Sequence, residues 1–76
     1  MSARPAATRL LADALMIPEQ DVPAGARLGH VEQWDSLAHA RLLLALEEKL
    51  GRQLTPDEAV AIETLDDIAR LLDAKR

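Results

Sequence analysis

The sequence predicts an all-α fold: a small four-helix bundle of three longer helices plus one short helix, with a long loop between helices 1 and 2. Three observations predict it. Apolar residues recur at spacings of three and four in three segments. No segment alternates apolar and polar residues in the manner of a half-buried strand. Helix-start chemistry stands at Asp35 and again at Thr55-Pro56-Asp57-Glu58.

The first helix is read over residues 4 to 16. Pro5 is tolerated in a first turn, where its missing N–H is no loss. Leu10, Leu11, Ala14 and Leu15 form the apolar stripe, and Pro18 makes continuation past Met16 unfavourable. Residues 17 to 34 are then a connection punctuated by Pro18, Pro23, Gly25 and Gly29. A loop of that length in a compact domain is functional or partly packed, and Leu28 and Val31 are its expected anchors. The second helix covers residues 36 to 50, with Asp35 as N-cap and Gly51 just past its end. At about 100° per residue, Leu42, Leu43, Leu46 and Leu50 share one arc, with His39 a turn earlier. Leu37 and Leu44 fall roughly opposite, flanked by Ala40, Arg41 and Glu48, so they are expected to face solvent. Thr55 and Glu58 form a capping box with Pro56 at the first helical position, opening a short third helix that ends near Ala61. Thr64 with Asp67 is a weaker start signal, because Asp replaces the usual Glu. The fourth helix runs from about Leu65 to Ala74 and buries Leu65, Ile68, Ala69 and Leu72. Asp66 and Asp67 at its start and Lys75 and Arg76 at its end complement the helix dipole.

With 76 residues the chain is read as a single domain, 1–76, with one core. A hydrophobic content of 49% suits a globular fold, and Trp34 is the only aromatic residue, so the core is aliphatic. There is no cysteine, which removes disulfides and thiolate metal sites. The net charge is −4, with nine Lys and Arg against thirteen Asp and Glu. Without a basic block, nucleic acid is not an expected partner. No apolar run approaches a membrane span and no secretory signal is visible. The expectation is a cytoplasmic monomer.

Function centres on Trp34-Asp35-Ser36-Leu37. If Asp35 caps the second helix, Ser36 is its first residue and its hydroxyl is exposed at the positive end of the helix dipole. Phosphate is the group favoured there, beside the N–H donors of the first turn. Ser36 therefore reads as an attachment point, although Asp-Ser also serves as a bare helix cap. Leu37 and Leu44 read as a docking face beside it, or as scattered surface leucines. Trp34 precedes the cap and His39 follows at the fourth helical position, a pair suited to a hydrophobic staple. His30 is a loop residue. No nucleophile–base–orienter set can be assembled and the chain is short for a deep pocket, so no catalytic residue and no metal site are expected.

Trp34-Asp35-Ser36-Leu37, followed by Leu43-Leu44-Ala45-Leu46-Glu47-Glu48, resembles the acyl carrier proteins, the phosphopantetheine-binding carriers of acyl, polyketide, peptide and aminoacyl pathways. The resemblance runs on through Leu54-Thr55-Pro56-Asp57-Glu58 and Thr64-Leu65-Asp66-Asp67-Ile68. It implies that Ser36 receives a 4′-phosphopantetheine arm from a phosphopantetheinyl transferase, with coenzyme A as donor and magnesium. Asp35 is then the helix cap beside the arm. The arm's terminal thiol holds an acyl or aminoacyl thioester, which explains thiol chemistry in a chain without cysteine. A loading ligase or synthetase and downstream transferases or synthases are the implied partners. Leu37, Ala40, Arg41, Leu44, Glu47 and Glu48 are the implied docking residues. Here the positions after Leu37 are Ala38, His39, Ala40 and Arg41, where carriers of fatty acid synthesis are commonly acidic. That departure, with the Trp-Asp-Ser-Leu form, points to a stand-alone carrier of a specialised pathway, docking more through apolar contact than charge steering. An unmodified helical module docking through Leu37 and Leu44 is the alternative.

Overall fold

The computed structural model describes residues 3–74. Four helices follow one another: α1 Arg4–Leu15, α2 Ser36–Leu50, α3 Pro56–Ala61 and α4 Leu65–Ala74. Among the described residues there is no strand. Lys75 and Arg76, expected to complement the end of the last helix, lie outside the described residues.

α1 packs against both α2 and α4. Leu11, Ala14 and Leu15 are buried as expected, while Leu10 is half-buried and Ala7 and Ala12 join the core. From α2 come Ala38, Leu42, Leu46 and Leu50. Leu43, expected in that stripe, is only half-buried. α4 buries the four residues that its periodicity names, Leu65, Ile68, Ala69 and Leu72. The core is aliphatic except for Trp34, which is 1% exposed and heads the largest fully buried side chains.

α1 ends one residue earlier than its periodicity suggests. Met16 is its C-cap, in the left-handed conformation with φ 60° and ψ 42°. The Ile17 amide then reaches back to the Ala12 carbonyl at 3.1 Å, closing the helix end. A side chain other than glycine is disfavoured in that conformation, and Met16 gains little from packing because it is 77% exposed. Met16→Gly is therefore expected to stabilise the fold by about 0.5–1 kcal/mol, the relief of strain less the added freedom of the unfolded chain. Urea denaturation followed by circular dichroism measures it. Gly51 supplies the equivalent cap on α2 without strain, at φ 74°, and its amide bonds the Glu47 carbonyl at 2.9 Å.

The long connection contains one 3₁₀ turn, Glu19–Asp21, which the loss of period in this stretch concealed. Leu28 and Val31 do pack against the core, together with Ile17 and Val22. The deepest anchors are Ala26 and Trp34, both 1% exposed. Backbone bonds fasten the loop to the start of α4: Leu65 N–H to the Ala26 carbonyl at 3.1 Å and Leu28 N–H to the Glu63 carbonyl at 2.7 Å. They flank a single antiparallel bridge between Arg27 and Thr64.

Both later helices open with capping boxes. At α3, Glu58 N–H donates to Thr55 Oγ1 at 3.1 Å and Thr55 N–H donates to Glu58 Oε1 at 2.9 Å. At α4 the shorter Asp67 also closes a box, accepting from the Glu63 and Thr64 amides at 3.0 Å and donating its own amide to Thr64 Oγ1 at 3.1 Å. Burial pushes the Asp67 carboxyl up, but the Glu63 amide, the Arg70 guanidinium and Thr64 outweigh it and hold it below its ordinary value.

Glu58 is also gripped by Arg52, Nη1 to Oε1 at 2.9 Å and Nη2 to Oε2 at 2.8 Å. The guanidinium bond, and after it the Thr55 amide, lower Glu58 from 4.5 to about 2. A depressed carboxyl pKa adds stability that is present above the ordinary value and is lost as pH falls towards the folded one. The start of α3 is therefore expected to loosen as pH falls from 4.5 to about 2. Arg52→Gln is expected to raise the Glu58 pKa back towards 4.5, as read by carboxyl-carbon NMR titration.

Candidate functional site

A turn closed by Trp34 N–H on the Val31 carbonyl at 2.9 Å delivers the chain to α2. Asp35 has extended backbone, φ −99° and ψ −172°, and its Oδ1 accepts the Ala38 amide at 2.9 Å. That is N-cap geometry, with the carboxylate turned onto the first turn of the helix. Ser36 follows as the first residue of α2 and is exposed. Its hydroxyl stands at the positive end of the helix dipole, where an anion is stabilised.

On either side of this cap in the chain, Trp34 and His39 pair with each other. Their ring centroids are 6.2 Å apart and tilted by 34°. The pairing expected as a hydrophobic staple is also a polar one, since Trp34 Nε1–H donates to His39 Nδ1 at 3.1 Å. An accepting Nδ1 requires the neutral imidazole with its proton on Nε2. Burial pushes the His39 pKa below its ordinary value, which favours the same neutral form. The buried indole N–H is thus satisfied, and the entry to α2 is clipped one turn after Ser36.

The structure brings most of the expected docking residues together. Leu37, Ala40, Leu44 and Glu48 are exposed and spaced along one side of α2. Leu37 is 66% and Leu44 63% exposed. Arg41 and Glu47 are different. Arg41 is half-buried, and its Nε donates to the Ala14 carbonyl at 3.0 Å, satisfying a carbonyl at the end of α1. Glu47 is half-buried, and its Oε2 accepts the Leu54 amide at 2.9 Å, holding the turn after α2. Both side chains have structural work that their spacing did not announce. His30 sits in an exposed turn, its amide on the Arg27 carbonyl at 2.9 Å.

The first turn of α2 thus presents an exposed serine, with the exposed leucines Leu37 and Leu44 along the same helix. The family model described as the phosphopantetheine attachment site matches residues 6–72, and the chain belongs to that family. Domains of this family are non-catalytic carriers to which 4′-phosphopantetheine is attached. No curated protein matches the chain. The residues around Ser36 fit the group: a primary alcohol in solvent, a helix N-terminus for the phosphate charge, and a neighbouring carboxylate engaged by the backbone. Among the described residues no helix is long and apolar enough to cross a membrane.

Proposed function

We propose that Ser36 bears the 4′-phosphopantetheine arm and that this chain carries cargo for a specialised biosynthetic pathway. The family supports a phosphopantetheine-carrying protein that meets a phosphopantetheinyl transferase and pathway enzymes. The observation that carries the choice of residue is the exposed Ser36 directly after the Asp35 cap. In the transferase reaction Ser36 Oγ forms the phosphodiester, its proton passes to the enzyme, and the nucleotide part of coenzyme A leaves. When attached, the arm supplies a thiol that holds an acyl or aminoacyl group as a thioester. Asp35 keeps the first turn intact, and Trp34 and His39 hold the base of that turn still. A covalent tether raises the effective concentration of cargo at each partner's active site.

The specialised role rests on the surface that follows Ser36. Ala38 is buried, His39 is bound to Trp34, and Arg41 is bound to Ala14. The exposed side chains there are Leu37, Ala40 and Leu44, so recognition is by apolar fit more than by an acidic patch. Glu48 adds one exposed acid farther along, and Glu47 only a half-buried one. A loading ligase or synthetase followed by transferases or synthases would use this face.

The test is intact-protein mass spectrometry after incubation with a phosphopantetheinyl transferase, magnesium and coenzyme A. One added arm, located on Ser36 by peptide fragmentation, is expected. No addition with several transferases, or an addition at another residue, overturns the proposal.

A further inference from the structure

Trp34 and His39 bracket the attachment serine in the chain and bond across it. Trp34 ends the preceding loop, its amide on the Val31 carbonyl at 2.9 Å. His39 belongs to the first turn of α2, its amide on the Asp35 carbonyl at 2.9 Å. The bond from Trp34 Nε1–H to His39 Nδ1 at 3.1 Å therefore ties the two ends of the segment that contains Asp35, Ser36, Leu37 and Ala38.

This tie exists in one protonation state. The indole N–H can only donate, and Nδ1 accepts only while it carries no proton. Protonation of His39 sets a donor against a donor. The indole N–H of Trp34, a residue 1% exposed, then loses its acceptor where water cannot readily replace it.

The charged side chains on the elements around His39 are engaged elsewhere or face solvent. On α2, Asp35 holds the Ala38 amide and Arg41 the Ala14 carbonyl. On the loop before the helix, His30 and Glu32 are exposed, and so is Asp13 on α1, the helix whose end Arg41 reaches. None of them bonds the imidazole, so no carboxylate offers the protonated ring a new partner. Burial pushes the His39 pKa below 6.5. The stability contributed by the neutral ring is thus present above 6.5 and is lost as pH falls through the lower folded value.

We infer that His39 is a positioning residue for attachment at Ser36 and the pH-sensitive element of that step: neutral, it holds the turn that presents the hydroxyl, and protonated, it releases Trp34 and slows acceptance of the arm. The inference rests on the attachment reading above and adds to it the state of one imidazole. One proton from solvent enters at Nδ1, no covalent bond breaks, and neutralisation reverses the change. The backbone of this turn places Ser36 Oγ, so freedom admitted there is alignment lost at the reacting oxygen.

Two measurements on the full chain test this. The first needs no transferase. The chain has one tryptophan, so a proton–nitrogen NMR spectrum contains one indole signal. That signal is expected to move with the same midpoint as the His39 imidazole. It should stay still in His39→Asn, whose side-chain oxygen can accept in place of Nδ1 and does not titrate. The second is the initial rate of attachment with a purified transferase, magnesium and coenzyme A. The ratio of kcat/KM for the unaltered chain to that for His39→Asn, taken at each pH, removes the enzyme's own titration. It is expected to fall about threefold to tenfold as the imidazole titrates. His39→Ala, which removes the acceptor at every pH, is expected to show that loss already at neutral pH. Four results overturn the inference and leave the attachment reading standing: an indole signal indifferent to the imidazole, an imidazole that stays neutral until the chain unfolds, a flat ratio, or a wild-type rate for His39→Ala. Failure of the unaltered chain to accept the arm at any pH overturns both.

Discussion

Ser36→Ala is expected to abolish attachment of the arm completely while leaving the fold as stable as before. The loss is complete because the substitution removes the oxygen that forms the phosphodiester, and no geometric adjustment restores it. The fold should be indifferent for a separate reason. Ser36 is exposed at the first position of α2, and the capping bond belongs to its neighbour, from the Ala38 amide to Asp35 Oδ1 at 2.9 Å. Alanine is a good helix former, and surface substitutions of this kind change stability by about 0.5 kcal/mol or less. Intact mass after transferase treatment reads the first effect and a urea midpoint reads the second. An arm that still attaches to Ser36→Ala removes Ser36 from the mechanism. An unmodified variant with a much lower midpoint means that the hydroxyl served the fold.

Trp34→Ala is expected to be the most damaging single substitution in the described chain. Trp34 is 1% exposed and is the largest side chain fully enclosed by the core. Truncating a buried tryptophan costs about 3–5 kcal/mol, the transfer term plus the cavity. A domain of this size holds on the order of 4–11 kcal/mol in total, so the variant should be largely unfolded or close to it. The damage falls where function is placed, because Trp34 clips the loop to the first turn of α2. Trp34→Phe separates packing from polarity. It retains most of the apolar contact and loses the donor to His39 Nδ1 at 3.1 Å, and is expected to cost about 1–2 kcal/mol. Circular dichroism in urea is the appropriate readout, since both variants lack the only indole. A wild-type midpoint for Trp34→Ala contradicts its role as the peg of the core.

What was readable in the chain was local chemistry. The cap at Asp35, the boxes at Thr55 and Thr64, and the glycine end of α2 each depend on residues within about four positions of one another. The helix limits and the buried stripe of α4 followed from the same short range. Even there, local reading fell short where chemistry was less typical. Asp67 is a weak signal as a box partner because it is one methylene shorter than glutamate, yet it closes the box. Periodicity continues the first helix through Met16, since nothing in a methionine announces a left-handed cap. Leu43 shares the core-facing arc yet is only half-buried, because an arc on one helix ignores which neighbours arrive to cover it.

By itself, then, the sequence determined four helices, the starts of the last three, the glycine end of α2 and a serine at the head of the second helix, because these depend on interactions between near neighbours along the chain. Only the tertiary structure decided that Arg41 is spent on Ala14, that Glu47 is spent on Leu54, and that Ala26 fastens the long loop to Leu65. Those bonds join residues that chain order keeps apart. They leave no period or spacing to read, and form only once burial of the aliphatic faces has brought the elements together.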